Sequence, residues 1–110
     1  MKTTNFWEKE LKDTPHKVDV RRLYKSNQTE VNVLTLNPGE QLIPHTTQVD
    51  ALFFVLEGTP TIHIGDEVKM CDKYTLIESP ANIIHHISNT TTELARVLIV
   101  KGPKQTFDID

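Results

Sequence analysis

The chain has 110 residues, 37% of them hydrophobic and 25% charged, which suits one domain able to bury most of its apolar surface without staples. Its formal net charge is −3 with the signs interspersed, and Arg21-Arg22 is the only adjacent arginine pair; no nucleic-acid footprint is expected, and that pair reads as a solvated strand end. No apolar run approaches membrane-spanning length and the opening Met1 to Asn5 lacks a signal-peptide core, so a soluble, cytoplasmic protein with no membrane partner is expected.

Residues 1–17 read as an N-terminal arm. A short helical turn fits 6–11, and Pro15 then breaks any helix. His16 follows in a loop and is expected to be exposed. From residue 18 to 110 the periodicity is that of strands in a single domain. Val18, Val20 and Tyr24 alternate with Asp19, Arg21 and Leu23, which predicts an early strand. A polar turn at Ser26-Asn27-Gln28 leads into 31–36, rich in β-branched residues. Asn37-Pro38-Gly39 is a turn, because Pro presets φ at one position and Gly accepts positive φ at the next. Further strands are predicted at 51–56, 61–64, 67–70, 74–77, 83–88 and 94–101, with an edge strand at 106–109. Short strands at this spacing predict an all-β fold, a small antiparallel β-barrel or sandwich. Cys71 is the only cysteine. It excludes an internal disulfide and reads as a small core residue.

Two segments carry the candidate chemistry. The first runs from Gly39 through His45 to Gly58; the second runs from Pro80 through His85 to Asn89. The two histidines lie forty residues apart, each beside a turn and on a strand-like run. Strand parity says which side chains share a face. His45, Thr47, Ala51, Phe53 and Val55 are all odd-numbered and point one way if no bulge intervenes. His85 shares its face with Ile83 and Ile87, so His86 points outward. Asp50 is out of register by one residue and reaches the same face only through a bulge near Val49.

These segments resemble the two conserved motifs of the cupins, over roughly residues 31–101. The first motif reads Gly, five residues, His-x-His, three or four residues, Glu, six residues, Gly; Gly39, His45 and Gly58 match it, while Thr47 and Ala51 replace the second His and the Glu. In the second, Pro80, His85 and Asn89 match, and Asn82 stands where Gly is usual; Asn is the other residue that tolerates a left-handed backbone. The leading Gly has no clean counterpart near Cys71-Asp72-Lys73. The resemblance implies a jelly-roll barrel with one divalent metal ion (Zn, Fe, Ni or Mn) in its mouth. His45 and His85 would be the ligands, Thr47, Ala51, Phe53, Val55 and Ile87 would line the pocket, and Asp50 is a further candidate ligand.

Two imidazoles fall short of the three protein ligands usual at a catalytic metal. The residues therefore leave three readings open: a metal held with water and one unexpected ligand, a metal-free small-molecule pocket, or two satisfied structural histidines. Catalysis and reaction type stay open, since no nucleophile elbow or phosphate-binding loop is present. His63 reads as a surface strand residue, Asp66-Glu67 as a hairpin turn, and Trp7, Tyr24 and Tyr74 as core or rim packing. Leu52, Phe54 and Leu56 make the central strand apolar on its outer face too. That face must be covered by the arm or by a second copy, and a homodimer is expected.

Overall fold

Alternation along the central strand decides how the molecule closes. Ala51, Phe53 and Val55 are 1%, 2% and 0% exposed, whereas Leu52 between them is 38% exposed. One face of this strand is thus sealed inside. The computed structural model describes residues 1–102, and the strand expected at 106–109 lies outside them. The strands are β1 (Asp19–Lys25), β2 (Glu30–Leu36), β3 (Ala51–Glu57), β4 (Thr61–Ile64), β5 (Glu67–Met70), β6 (Leu76–Ser79), β7 (His85–Ser88) and β8 (Ala95–Lys101). They form a five-stranded sheet in the order β1-β2-β8-β3-β6 and a three-stranded sheet in the order β5-β4-β7. Every pairing is antiparallel. The only helix among the described residues is a 3-10 turn at Phe6–Glu8, capped by the Asn5 side chain, which accepts from the Trp7 N–H.

The core fills the space between the inner faces. Leu34 and Leu36 of β2, Val55 of β3, Ile87 of β7 and Val97 of β8 are fully buried, each contributing about 1.5–3 kcal/mol by leaving water. Cys71 packs into the same cluster, as its size and polarity predict. No helix among the described residues is long and apolar enough to cross a membrane.

Two strands start later than the periodicity predicts, for the same reason. Tyr74 has φ of 71° and Asn82 has φ of 64°, so each sits in the left-handed region and turns the chain where an extended run was expected. β6 consequently begins at Leu76 and β7 at His85, leaving Ile83 and Ile84 exposed in the intervening loop. Trp7, Tyr24 and Tyr74 are also exposed, so none is a core residue, and Tyr74 lies at the rim with its ring 6.3 Å from that of Phe54. Trp7 instead lies with Phe6 near the guanidinium groups of Arg21 and Arg96.

Candidate functional site

The forty-residue gap between the two histidines is closed by the backbone. After the Asn37-Pro38-Gly39 turn, where Gly39 has φ of 85°, the chain runs alongside β7. Gln41 bridges to Ser88 and His45 to His85. His45 N–H donates to His85 O at 3.1 Å, and His85 N–H donates to His45 O at 2.8 Å. A pair that exchanges both bonds carries its side chains on one face as direct neighbours. The rings meet edge to face with centroids 4.6 Å apart, and their Nε2 atoms are 3.3 Å apart.

The outer nitrogens fix the protons. His45 Nδ1 lies 2.9 Å from Ile43 O, and a carbonyl can only accept, so Nδ1 carries a proton and, in the neutral ring, Nε2 presents a lone pair. His85 Nε2 then donates to that lone pair, and His85 Nδ1 accepts from the Ser79 hydroxyl at 2.7 Å. Ser79 is buried, and its hydroxyl can equally accept. Moving the His85 proton to Nδ1 would leave both Nε2 lone pairs aimed at one point. Burial first, then the nearby His45, Lys101 and His86, lowers the His85 pKa to about 4, so this ring is neutral at pH 7.

A third histidine joins them from the arm. His16, expected to be exposed, is half-buried, with its ring 5.0 Å from that of His45. Its Nδ1 accepts from the Ile43 N–H at 2.7 Å. Burial, followed by His45, Lys101 and Lys12, lowers its pKa. The arm is anchored here because Lys12 N–H donates to Val20 O at 2.6 Å. A cavity of about 90 Å³ lies below, lined by Lys12, Thr14 and His16 from the arm and by Asn32, His45, Phe53, His85 and Lys101 from the barrel. Beside it, Glu30 Oε2 accepts from Lys12 Nζ at 2.9 Å and from Asn32 Nδ2 at 2.8 Å. Burial alone would raise the Glu30 pKa; the hydrogen bonds from Asn32 and Lys12 and the Lys12 and Lys101 charges outweigh it and bring it to about 2.

Of the residues expected to line the pocket, Phe53 lines this cavity, with its ring 5.4 Å from that of His85. Ala51, Val55 and Ile87 face inward as parity predicts, but they sit in the packed core. Thr47 turns its hydroxyl to Val49 O at 2.8 Å. Asp50 Oδ1 accepts from the Ala81 N–H at 2.8 Å; the bulge in β3 falls between Val55 and Glu57, too far along to bring Asp50 round. Among the described residues no three His, Cys, Asp or Glu side chains group as a metal site. His86 points away from His85 and stacks on His63 at 3.8 Å, so those two form a pair on the opposite face. A larger open groove of about 660 Å³ runs between β5 and β6 and touches neither His45 nor His85.

His16, Lys12, Asn32, Ser79 and Lys101 were not singled out by motif or spacing. The arm has no periodicity to fix its path, and Ser79 and Lys101 sit at strand ends whose register emerges only with the sheet. Asn32 offered one signal, a polar residue inside a β-branched run.

The family model described as "Cupin domain" matches residues 32–101. The chain is similar in structure to an RmlC-like cupin from Shewanella frigidimarina, at 13% identity and a TM-score of 0.81, covering 92% of this chain and 89% of that one. It is similar to KdgF from Halomonas sp. at 12% identity and a TM-score of 0.81, covering 96% of each chain. An RmlC-like cupin family protein with a double-stranded beta-helix fold from Methanocaldococcus jannaschii aligns at 21% identity and a TM-score of 0.75, covering 87% of this chain and 89% of that one. No curated protein matches the sequence. With both histidine segments, β3 through β8 and most of β2 inside the matched span, the chain belongs to the cupin family.

Proposed function

We propose that this cupin handles a small organic molecule in its barrel mouth, with a divalent metal ion held by His45 Nε2 and His85 Nε2. The observation that carries this reading is the 3.3 Å separation of the two Nε2 atoms, about the span of two neighbouring nitrogen ligands on one zinc ion. Each ring is steadied from behind, His45 by Ile43 O and His85 by Ser79 Oγ, the support that ligating histidines need. The donor set suits Zn, Fe, Ni or Mn through imidazole nitrogen, with the remaining positions left to water or ligand. When bound, such an ion supplies Lewis acidity toward a ligand oxygen. The chain's own residues orient and enclose: Phe53 floors the cavity, the arm covers it, and Ser79 sets the proton on His85.

A second reading, a metal-free binding or sensing module, is favoured by one observation. Thr47 and Ala51 bring no donor to the pair, and the histidine contact is already satisfied as a hydrogen bond. Metal analysis of protein purified without a histidine tag separates the two. Stoichiometric metal in the parent protein, lost in both His45→Ala and His85→Ala, supports the first. Protein that stays metal-free and resists loading with Zn, Fe, Ni and Mn supports the second.

A further inference from the structure

The cavity beside the histidine pair is polar in a lopsided way. Lys12, Arg22 and Lys101 gather around one carboxylate, Glu30, with Lys12 Nζ at 2.9 Å and Arg22 Nε at 3.6 Å from Glu30 Oε2. Lys101 forms no ion pair among the described residues, and both it and Lys12 line the cavity. Cationic charge therefore exceeds anionic charge at this wall, in a partly desolvated setting where charge is felt strongly.

Asn32 supplies the second observation. It lines the same cavity, is only 2% exposed, and its Oδ1 is buried with no hydrogen-bond partner. The amide cannot be turned round to hide that atom, because its Nδ2 donates to Glu30 Oε2 and an oxygen there would face a carboxylate. A buried acceptor left unmet is costly in the empty protein and asks for a donor from outside the chain.

We propose that the cavity takes a small hydroxycarboxylate, its carboxylate beside Lys101 and Lys12 and its hydroxyl donated to Asn32 Oδ1. The same donor on an ammonium group would bring a third positive charge to the two lysines, so an amino acid fits worse than a hydroxy acid. Size agrees: about 90 Å³ equals about three water shares of liquid volume, enough for a carboxylate, its α-carbon and one hydroxyl. The proposal rests on the barrel mouth being a small-ligand site and holds with or without a metal.

Calorimetric titration of EDTA-stripped protein tests it with glycolate, propionate, glycolamide and glycine, four probes of nearly equal size. Glycolate is expected to bind, with propionate (no hydroxyl), glycolamide (no charge) and glycine each weaker by about tenfold or more. Lys101→Met keeps the aliphatic stem and should weaken glycolate by about tenfold; Asn32→Ala should erase the preference for glycolate over propionate. Glycolamide binding as well as glycolate, unchanged glycolate affinity in Lys101→Met, or no saturable glycolate binding would each overturn the proposal. Should Lys101→Met fail to melt cooperatively, Lys12→Met and the probe series on the parent protein decide. Glycolate binding by protein that resists loading with Zn, Fe, Ni and Mn supports this proposal and sinks the metal reading; stoichiometric uptake of one of those metals without glycolate binding does the reverse.

Discussion

A histidine that must be neutral to be buried makes stability depend on pH, and His85 sets the sign. Its folded pKa is about 4 against an ordinary 6.5, so between those values the unfolded chain binds more protons than the folded one. Stability from this ring is complete above pH 6.5, falls as pH drops through the window, and is lost below about 4. Thermal melts between pH 4.5 and 7 should show the decline, and His85→Gln should reduce its slope, with burial of His16 and His86 supplying the remainder in the same direction; an unchanged pH slope in that variant would refute the assignment. Glu30, lowered to about 2 from 4.5, titrates below this window. Ser79→Ala removes the hydroxyl that His85 Nδ1 meets at 2.7 Å and leaves a buried nitrogen unpaired. It should cost about 1–3 kcal/mol of unfolding free energy by denaturant titration, and metal uptake at the pair, if present, should weaken with it.

At the scale of elements, two turns hold the motif segments in place. Gly58 has φ of 73°, and a Cβ there would run into the backbone of Leu94 and Ala95. Asn82 adopts φ of 64° in an exposed loop. Gly58→Ala therefore meets strain and backbone collision together, while Asn82→Gly meets neither. Denaturant unfolding should show Gly58→Ala destabilised by more than about 1–2 kcal/mol and Asn82→Gly within about 0.5 kcal/mol of the parent. Equal losses would mean the tight approach at Gly58 yields easily. These turns also explain what was legible in the sequence. Gly39, Gly58, Pro80 and Asn82 announce backbone geometry by residue type, and alternation around Phe53 announces a face. Hence the barrel could be read from residue pattern, and the meeting of His45 with His85 from the resemblance of their segments to the cupin motifs. The cationic wall could not, because Lys12 arrives on an aperiodic arm and Lys101 at the far end of β8. Their neighbourhood depends on sheet order β1-β2-β8, which local patterning does not encode. The same gap hid His16, whose position depends on one hydrogen bond from Ile43.

For the whole molecule, the question is what covers the outer face of the five-stranded sheet. Register aligns Val33, Leu98, Phe54 and Leu76 across β2, β8, β3 and β6, and Val31, Val100 and Leu52 in the next outward row. Leu52 and Leu76 are 38% and 56% exposed. The arm answers only part of the need, since its Phe6 and Trp7 lie at the Arg21 and Arg96 end. Four seven-residue strands, each about 23 Å long, and the four-residue β6, about 13 Å long, lie about 4.8 Å apart and present a footprint of about 500 Å² before side-chain relief is added. That is of the order of the roughly 800 Å² per partner buried in a standard stable interface. A second copy packed through this face, sheet against sheet on a two-fold axis, would give a closed dimer. Sedimentation velocity at micromolar concentration is expected to give a dimer mass. Leu52→Glu should shift it to monomer while leaving the far-UV spectrum unchanged, because a charge on each copy would be desolvated at the contact. A monomer mass that does not change with concentration would rule out the second copy. Leu52 and Leu76 would then face solvent, and Leu52→Glu would leave the mass of the molecule as it was.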